Sequence, residues 1–484
     1  MKRPPLALHR ILLATTLLAL GTPLPGEEDR LFDLVIRGGR VMDPESGLDA
    51  LRDVGIVGGE IAAVAEPPLR GRETIDASGH VVAPGFIDLH QHAFDEDSIR
   101  LKARDGVTSI LELEVGAADI DRWYREREGV SRLHHGVAVG HIPTRMKVMG
   151  DFPSFLPKSD SRAANEEASP EQLEEMVQLV RRGLEEGAPA VGFGIGYTPA
   201  ATGAEIRAIF ETAAAYRAPC HVHLRGRRAG AVESAASLAE LSADTGAPLH
   251  IVHLQATAVT NTPDMLRLVE TSQAAGLDVT AEVYPWTAGM TEIQSALFGE
   301  GWQARYGVGY GDLQWGATGE RLTPESFARY RESGGLVIVH INTEETVAGA
   351  LAHPLTMVAS DGLVGHPRNA GTCARVLGHF VRDLGTLDLM AALAKMSLMP
   401  AQRLEGRVPE MKRRGRVRVG AFADLVVFDP ATVAARATYE NAAQPSQGIP
   451  WVLVQGVPVV RDGRLVEEAR PGRAIRAPRD DDKR

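Results

Sequence analysis

Between residues 86 and 360 the chain repeats one pattern, and that pattern limits its fold more than any other feature. Apolar runs at 86–89, 109–114, 136–140, 190–194, 219–224, 249–254, 277–283 and 356–360 read as buried strands. Amphipathic segments lie between them, such as 170–186 and 203–216. In the first, Leu173, Met176, Val177, Val180 and Leu184 recur at helical spacing, and Ser169-Pro170 is a good helix start. Strand alternating with helix over this length predicts the α/β class and a closed parallel (β/α)8 barrel. Such a barrel builds its active site at the C-terminal ends of its strands.

That is where the metal-ligand candidates fall. The run 86–89 ends in His90-Gln91-His92. Strand side chains alternate faces, so His90 and His92 point the same way, and neutral imidazoles are good zinc ligands. One such pair is ordinary. Three later runs make it a constellation: Cys220-His221-Val222-His223-Leu224-Arg225, His250-Ile251-Val252-His253-Leu254-Gln255, and Met357-Val358-Ala359-Ser360-Asp361-Gly362.

The ordered set His-x-His, His-x-Arg, a later strand His and Ser-Asp-Gly resembles the amidohydrolase superfamily of metal-dependent hydrolases. Within it the chain is most similar to the D-aminoacylase (N-acyl-D-amino-acid deacylase) family. Val148-Met149-Gly150, Gly187-Ala188, Tyr197-Thr198-Pro199, Tyr284-Pro285 and His366-Pro367-Arg368-Asn369-Ala370-Gly371-Thr372 match further motifs of that family, and the likeness runs from about residue 31 to 466. The resemblance implies a TIM-like barrel with a small β-sandwich made from both terminal segments. The expected division is 30–84 and 406–467 for the sandwich and 85–405 for the barrel. Residues 290–335, rich in glycine and carrying Trp302, Tyr306, Tyr310 and Trp315, break the alternation and are expected to form a lid or pocket wall.

The resemblance also implies one or two Zn2+ ions held by His90, His92, His223, His253 and Asp361. A bound divalent metal acidifies water and polarises a carbonyl. Asp361 then has the part of general base and later acid. His223 is preferred to its neighbour His221 because Arg225 completes His-x-Arg. The deacylases use a cysteine near the end of the second strand; here that stretch reads Leu111-Glu112-Leu113-Glu114. A glutamate in an apolar strand is costly unless paired or metal-bound, so Glu114 is the expected bridging ligand and Glu112 the alternative. For the substrate carboxylate the family uses a lysine, a tyrosine and an arginine. These fall on Gln255, Tyr284 and Arg368, and the missing lysine leaves Arg225 and Arg145 as candidate replacements.

The reading is hydrolysis of a linear amide, most simply an N-acyl-D-amino acid. The rivals are another amidohydrolase activity, on a dipeptide, a cyclic amide or a xenobiotic amide or ester, and a non-catalytic binding protein on the same barrel. A net charge of -11 argues against a nucleic-acid partner, and the resemblance implies a small-molecule amide substrate. Cys220 and Cys373 imply no disulfide framework. Lys2, Arg3 and Arg10 followed by the apolar run 11–20 read as a signal peptide over residues 1–21, hence a periplasmic or secreted protein with no membrane attachment after cleavage. The Arg- and Asp-rich stretch 468–484 is expected to be a disordered tail.

Overall fold

The computed structural model describes residues 30–66 and 68–479; the expected signal peptide lies outside them. Eight parallel strands run in the order expected: Phe86–Asp88, Val107–Ala117, His134–Gly140, Val191–Gly194, Cys220–His223, Leu249–Ile251, Val279–Val283 and Thr356–Val358. Each pairs with the next along the chain. The helix Pro170–Glu185 starts at Ser169 with a capping box to Gln172, and Met176, Leu179, Val180 and Leu184 face the barrel while Leu173 and Val177 are half-buried.

Strands eight and one carry no continuous ladder between them, and side chains close the barrel instead. The Ser360 backbone N–H donates to Asp88 Oδ1 at 2.9 Å and the Ser360 hydroxyl to Asp88 Oδ2 at 2.6 Å. Lys102 Nζ donates to the same carboxylate at 2.8 Å, so the buried charge is paired. A single bridge, Gln91 with Gly362, completes the seam. This stitching brings Asp361 beside His90 and His92.

The terminal segments share one nine-stranded sheet, joined where Val81–Pro84 pairs with Leu425–Phe428. Two of its hairpins turn at Gly58-Gly59 and Gln455-Gly456, all with positive φ, as two-residue turns between twisted strands require. The sheet folds back so that Ile61 near one end and Leu453 near the other share an apolar core with Ile36, Val54 and Leu425.

One expectation changes. The tail is ordered as far as residue 479. Ile475 and Ala477 are fully buried, the Ile475 N–H donates to the His135 carbonyl at 2.7 Å, and Tyr124 donates its hydroxyl to the Ile475 carbonyl at 2.7 Å. The composition of this stretch is that of a solvated segment, but a few apolar anchors and backbone pairing outweigh it. Residues 290–335, the expected lid or pocket wall, carry regular structure of their own. Ala288–Glu292 and Leu313–Trp315 flank Leu336–His340 in an antiparallel sheet, and the helix Pro324–Ser333 joins the same apolar core through Phe327, against Phe298 and Trp302. The paired strands are far apart in sequence, which hid the ladder. His340 takes a packing role, 2.9 Å from Gln314 Oε1 and against the Tyr439 ring.

Candidate metal centre and active site

The second barrel strand shifts register between Glu112 and Ala117. This irregularity carries Glu114 over the fourth strand, where a Cβ on Gly192 would lie 2.2 Å from the Glu114 carbonyl oxygen. Glycine alone permits that approach. Glu114 thereby reaches the barrel axis between two groups of side chains.

On one side Glu114 Oε2 is 2.7 Å from His90 Nε2 and 3.3 Å from His92 Nε2. Asp361 Oδ1 is 3.2 Å from His92 Nε2 and 3.6 Å from His90 Nε2. On the other side Glu114 Oε1 is 2.8 Å from His223 Nδ1, and His253 Nε2 is 3.1 Å from that same nitrogen. Potential ligand atoms in each group lie within 4.8 Å of one another. Two of these residues sit in the left-handed region, His253 at φ 33° and Asp361 at φ 54°, which disfavours side chains and is found where geometry is set by function.

The rings are oriented from behind. Glu112 accepts from His92 Nδ1, and Glu282 Oε1 is 2.5 Å from His90 Nδ1. A carboxylate only accepts, so the proton sits on Nδ1 and Nε2 turns to the centre. Glu112, the alternative ligand, is therefore the orienting partner of His92, and it also accepts the backbone N–H groups of Glu114 and Val115. Burial alone would make His90 harder to protonate, but Glu282, Asp361 and Glu114 outweigh it and push the ring up to about 10. Burial likewise opposes the charge on Asp361; Arg368, 2.9 Å from its Oδ2, together with His90 holds the carboxyl well below the usual range. The donor set fits a pair of divalent cations: imidazole nitrogens face one another at 3.0 Å across a carboxylate, a crowding that cations relieve.

Glu282 is the residue that sequence reasoning missed. Its signal was present, since a glutamate in the run 277–283 carries the same burial cost that singled out Glu114. It also holds His250, whose Nε2 is 3.0 Å from Glu282 Oε2. His221 packs on His250 with neither ring nitrogen partnered and joins neither group. Cys220 and Cys373 are free and buried.

A cleft opens over the centre, lined by His92, Glu114, His223, His253 and Asp361 with Tyr284, Met290, Tyr306 and Arg227. Tyr284 presents a buried hydroxyl with no partner. Arg368 stands behind Asp361, its guanidinium 4.9 Å from the centre of the Tyr284 ring. Two expected substrate contacts are corrected. Gln255 begins a helical turn that swings its amide to the Tyr284 carbonyl at 3.0 Å, away from the cleft lining. Arg225 donates to the Thr198 and Ala201 carbonyls and supports a loop. Arg145 is likewise structural, buried against Glu205.

Comparison with known proteins adds to this geometry. The profile described as "Amidohydrolase family" matches residues 159–460. An N-acyl-D-glutamate deacylase of Alcaligenes xylosoxydans xylosoxydans is 30% identical across 92% of this chain and 96% of its own. The crystal structure of an N-acyl-D-glutamate deacylase from Bordetella bronchiseptica, complexed with zinc and a phosphonate inhibitor that mimics the tetrahedral intermediate, superposes with a TM-score of 0.81. It is 26% identical and covers 93% of this chain and 100% of that one. A D-aminoacylase with a binuclear metal centre has a TM-score of 0.79 at 27% identity, with 92% and 100% covered.

Proposed function

The chain belongs to the amidohydrolase family, and from that premise we propose that it removes the acyl group from N-acyl-D-amino acids with the help of zinc. The observation that carries this reading is Glu114, whose two oxygens face two separate ligand groups inside one cleft. Those groups would hold the metal: His90, His92 and Asp361 on one side, His223 and His253 on the other, with Glu114 between. When bound, the metal supplies an acidified water and a Lewis acid for the acyl carbonyl.

The chain's own residues do the rest. Asp361 Oδ1 takes a proton from the attacking water and returns it to the leaving amine nitrogen. Arg368 on the other oxygen keeps that carboxylate ionised between turnovers. Tyr284 turns its free hydroxyl toward the substrate, and the wall carrying Met290 and Tyr306 excludes water. The same reading takes residues 1–21 as a signal for export, checked by N-terminal sequencing of protein recovered from periplasm and medium.

The test is turnover by the purified protein of paired N-acetyl-D- and N-acetyl-L-amino acids, dipeptides and cyclic amides, with metal content measured on the same sample. Hydrolysis of the D-acids by metal-loaded protein is expected. Loaded protein that hydrolyses only cyclic amides or dipeptides would overturn the reading.

A further inference from the structure

Arg227 reaches the cleft from the loop after the fifth barrel strand. Its Nη1 donates to the Ala256 carbonyl at 2.8 Å and its Nη2 to the Tyr306 hydroxyl at 3.1 Å, and its guanidinium lies 4.5 Å from the centre of the Tyr306 ring. All these partners are neutral, and among the described residues no carboxylate is within ion-pair distance of it. A half-buried guanidinium held in place without a counter-ion favours an anion beside it. The other candidates for that task are engaged elsewhere: Gln255 is uncharged and turned to the Tyr284 carbonyl, Arg368 is paired with Asp361, and Arg225 supports a loop.

We infer that Arg227 is the specificity-determining cation of this cleft, binding a carboxylate of the N-acyl amino acid, and that Tyr306 holds it in position. The inference rests on the deacylase reading and extends it: residues 290–335 contribute to substrate choice through Tyr306. The anion is either the α-carboxylate or an acidic side chain, and both present the same planar pair of oxygens to a guanidinium fork.

The experiment measures kcat and KM for wild type, Arg227→Met, Arg227→Lys and Tyr306→Phe on two acid–amide pairs. These are N-acetyl-D-leucine with N-acetyl-D-leucinamide, and N-acetyl-D-glutamate with N-acetyl-D-glutamine. Arg227→Met should raise KM for the acids by roughly tenfold or more, as loss of a charge-assisted hydrogen bond predicts, with a smaller change in kcat. The acid-over-amide ratio of kcat/KM should fall in step, and Arg227→Lys should recover part of it. Tyr306→Phe should lower the ratio less, and it carries the test alone should Arg227→Met not fold. A fall in the leucine pair assigns the α-carboxylate; a fall confined to glutamate over glutamine assigns the side chain. If wild type hydrolyses these acids and the ratio is unmoved in every variant, the inference is overturned. If metal-loaded wild type hydrolyses none of them, the deacylase reading itself falls.

Discussion

His90 Nδ1 lies 2.5 Å from Glu282 Oε1, so the imidazole that opens the constellation is held from behind by a carboxylate on the seventh strand. The contact reaches past the eighth strand and fixes both tautomer and ring plane. Replacing Glu282 by Gln should keep the shape and lose the charge. Metal affinity, read by competition with a chelator, should weaken about 10- to 100-fold. Unchanged affinity would assign Glu282 to packing against His250 instead.

Glu114 serves both ligand groups with one side chain. Glu114→Gln should therefore lower the metal bound per chain, whereas Glu112→Gln should leave the stoichiometry and weaken only the side that holds His92. Elemental analysis after dialysis separates the two. Equal loss in both variants would contradict the division between ligand and orienting residue.

Asp361 faces the two histidines with Oδ1 and Arg368 with Oδ2. Asp361→Asn keeps the size and removes the proton acceptor, so kcat should drop by roughly 100- to 10,000-fold. The pair His223 and His253 should still bind metal. Normal turnover by the variant would exclude Asp361 as the base.

His135 stands where the ordered tail crosses the third strand and packs beside Trp123 and Tyr124. Burial lowers its pKa from 6.5 to about 4. Between those values the unfolded chain binds the proton and the folded one does not. The contribution is present above pH 6.5 and is lost as pH falls toward 4, up to about 3 kcal/mol. His135→Phe should flatten that part of the Tm–pH curve, measured by calorimetry. An unchanged slope would show that other groups dominate.

The order of the strands, the barrel and the ligand candidates could be read from the chain because each depends on local pattern. Apolar runs and helical spacing specify elements, and a strand-end histidine announces itself within a few residues. Glu282 carries the same burial argument as Glu114, but it alternates with Asp278 and Thr280 along 277–283, a pattern that reads as the polar face of an ordinary strand. Gln255 and Arg225 were misplaced for a different reason. Their family positions are sequence offsets, and an offset does not say which way a helical turn or a loop aims a side chain.

What the sequence by itself determined is the alternation of strand and helix, the hairpin turns at Gly58-Gly59 and Gln455-Gly456, and the ligand chemistry carried at the strand ends. Only the tertiary structure sets Glu114 apart from Glu112, since a register shift and the bare Cα of Gly192 bring one to the cleft and leave the other behind His92. It also decided that residues 468–479 pack and that Arg227 reaches the cleft. The physical reason is the same in each case. Local periodicity is a property of neighbours in sequence, whereas burial, charge compensation and cleft exposure depend on segments that meet only when the barrel closes.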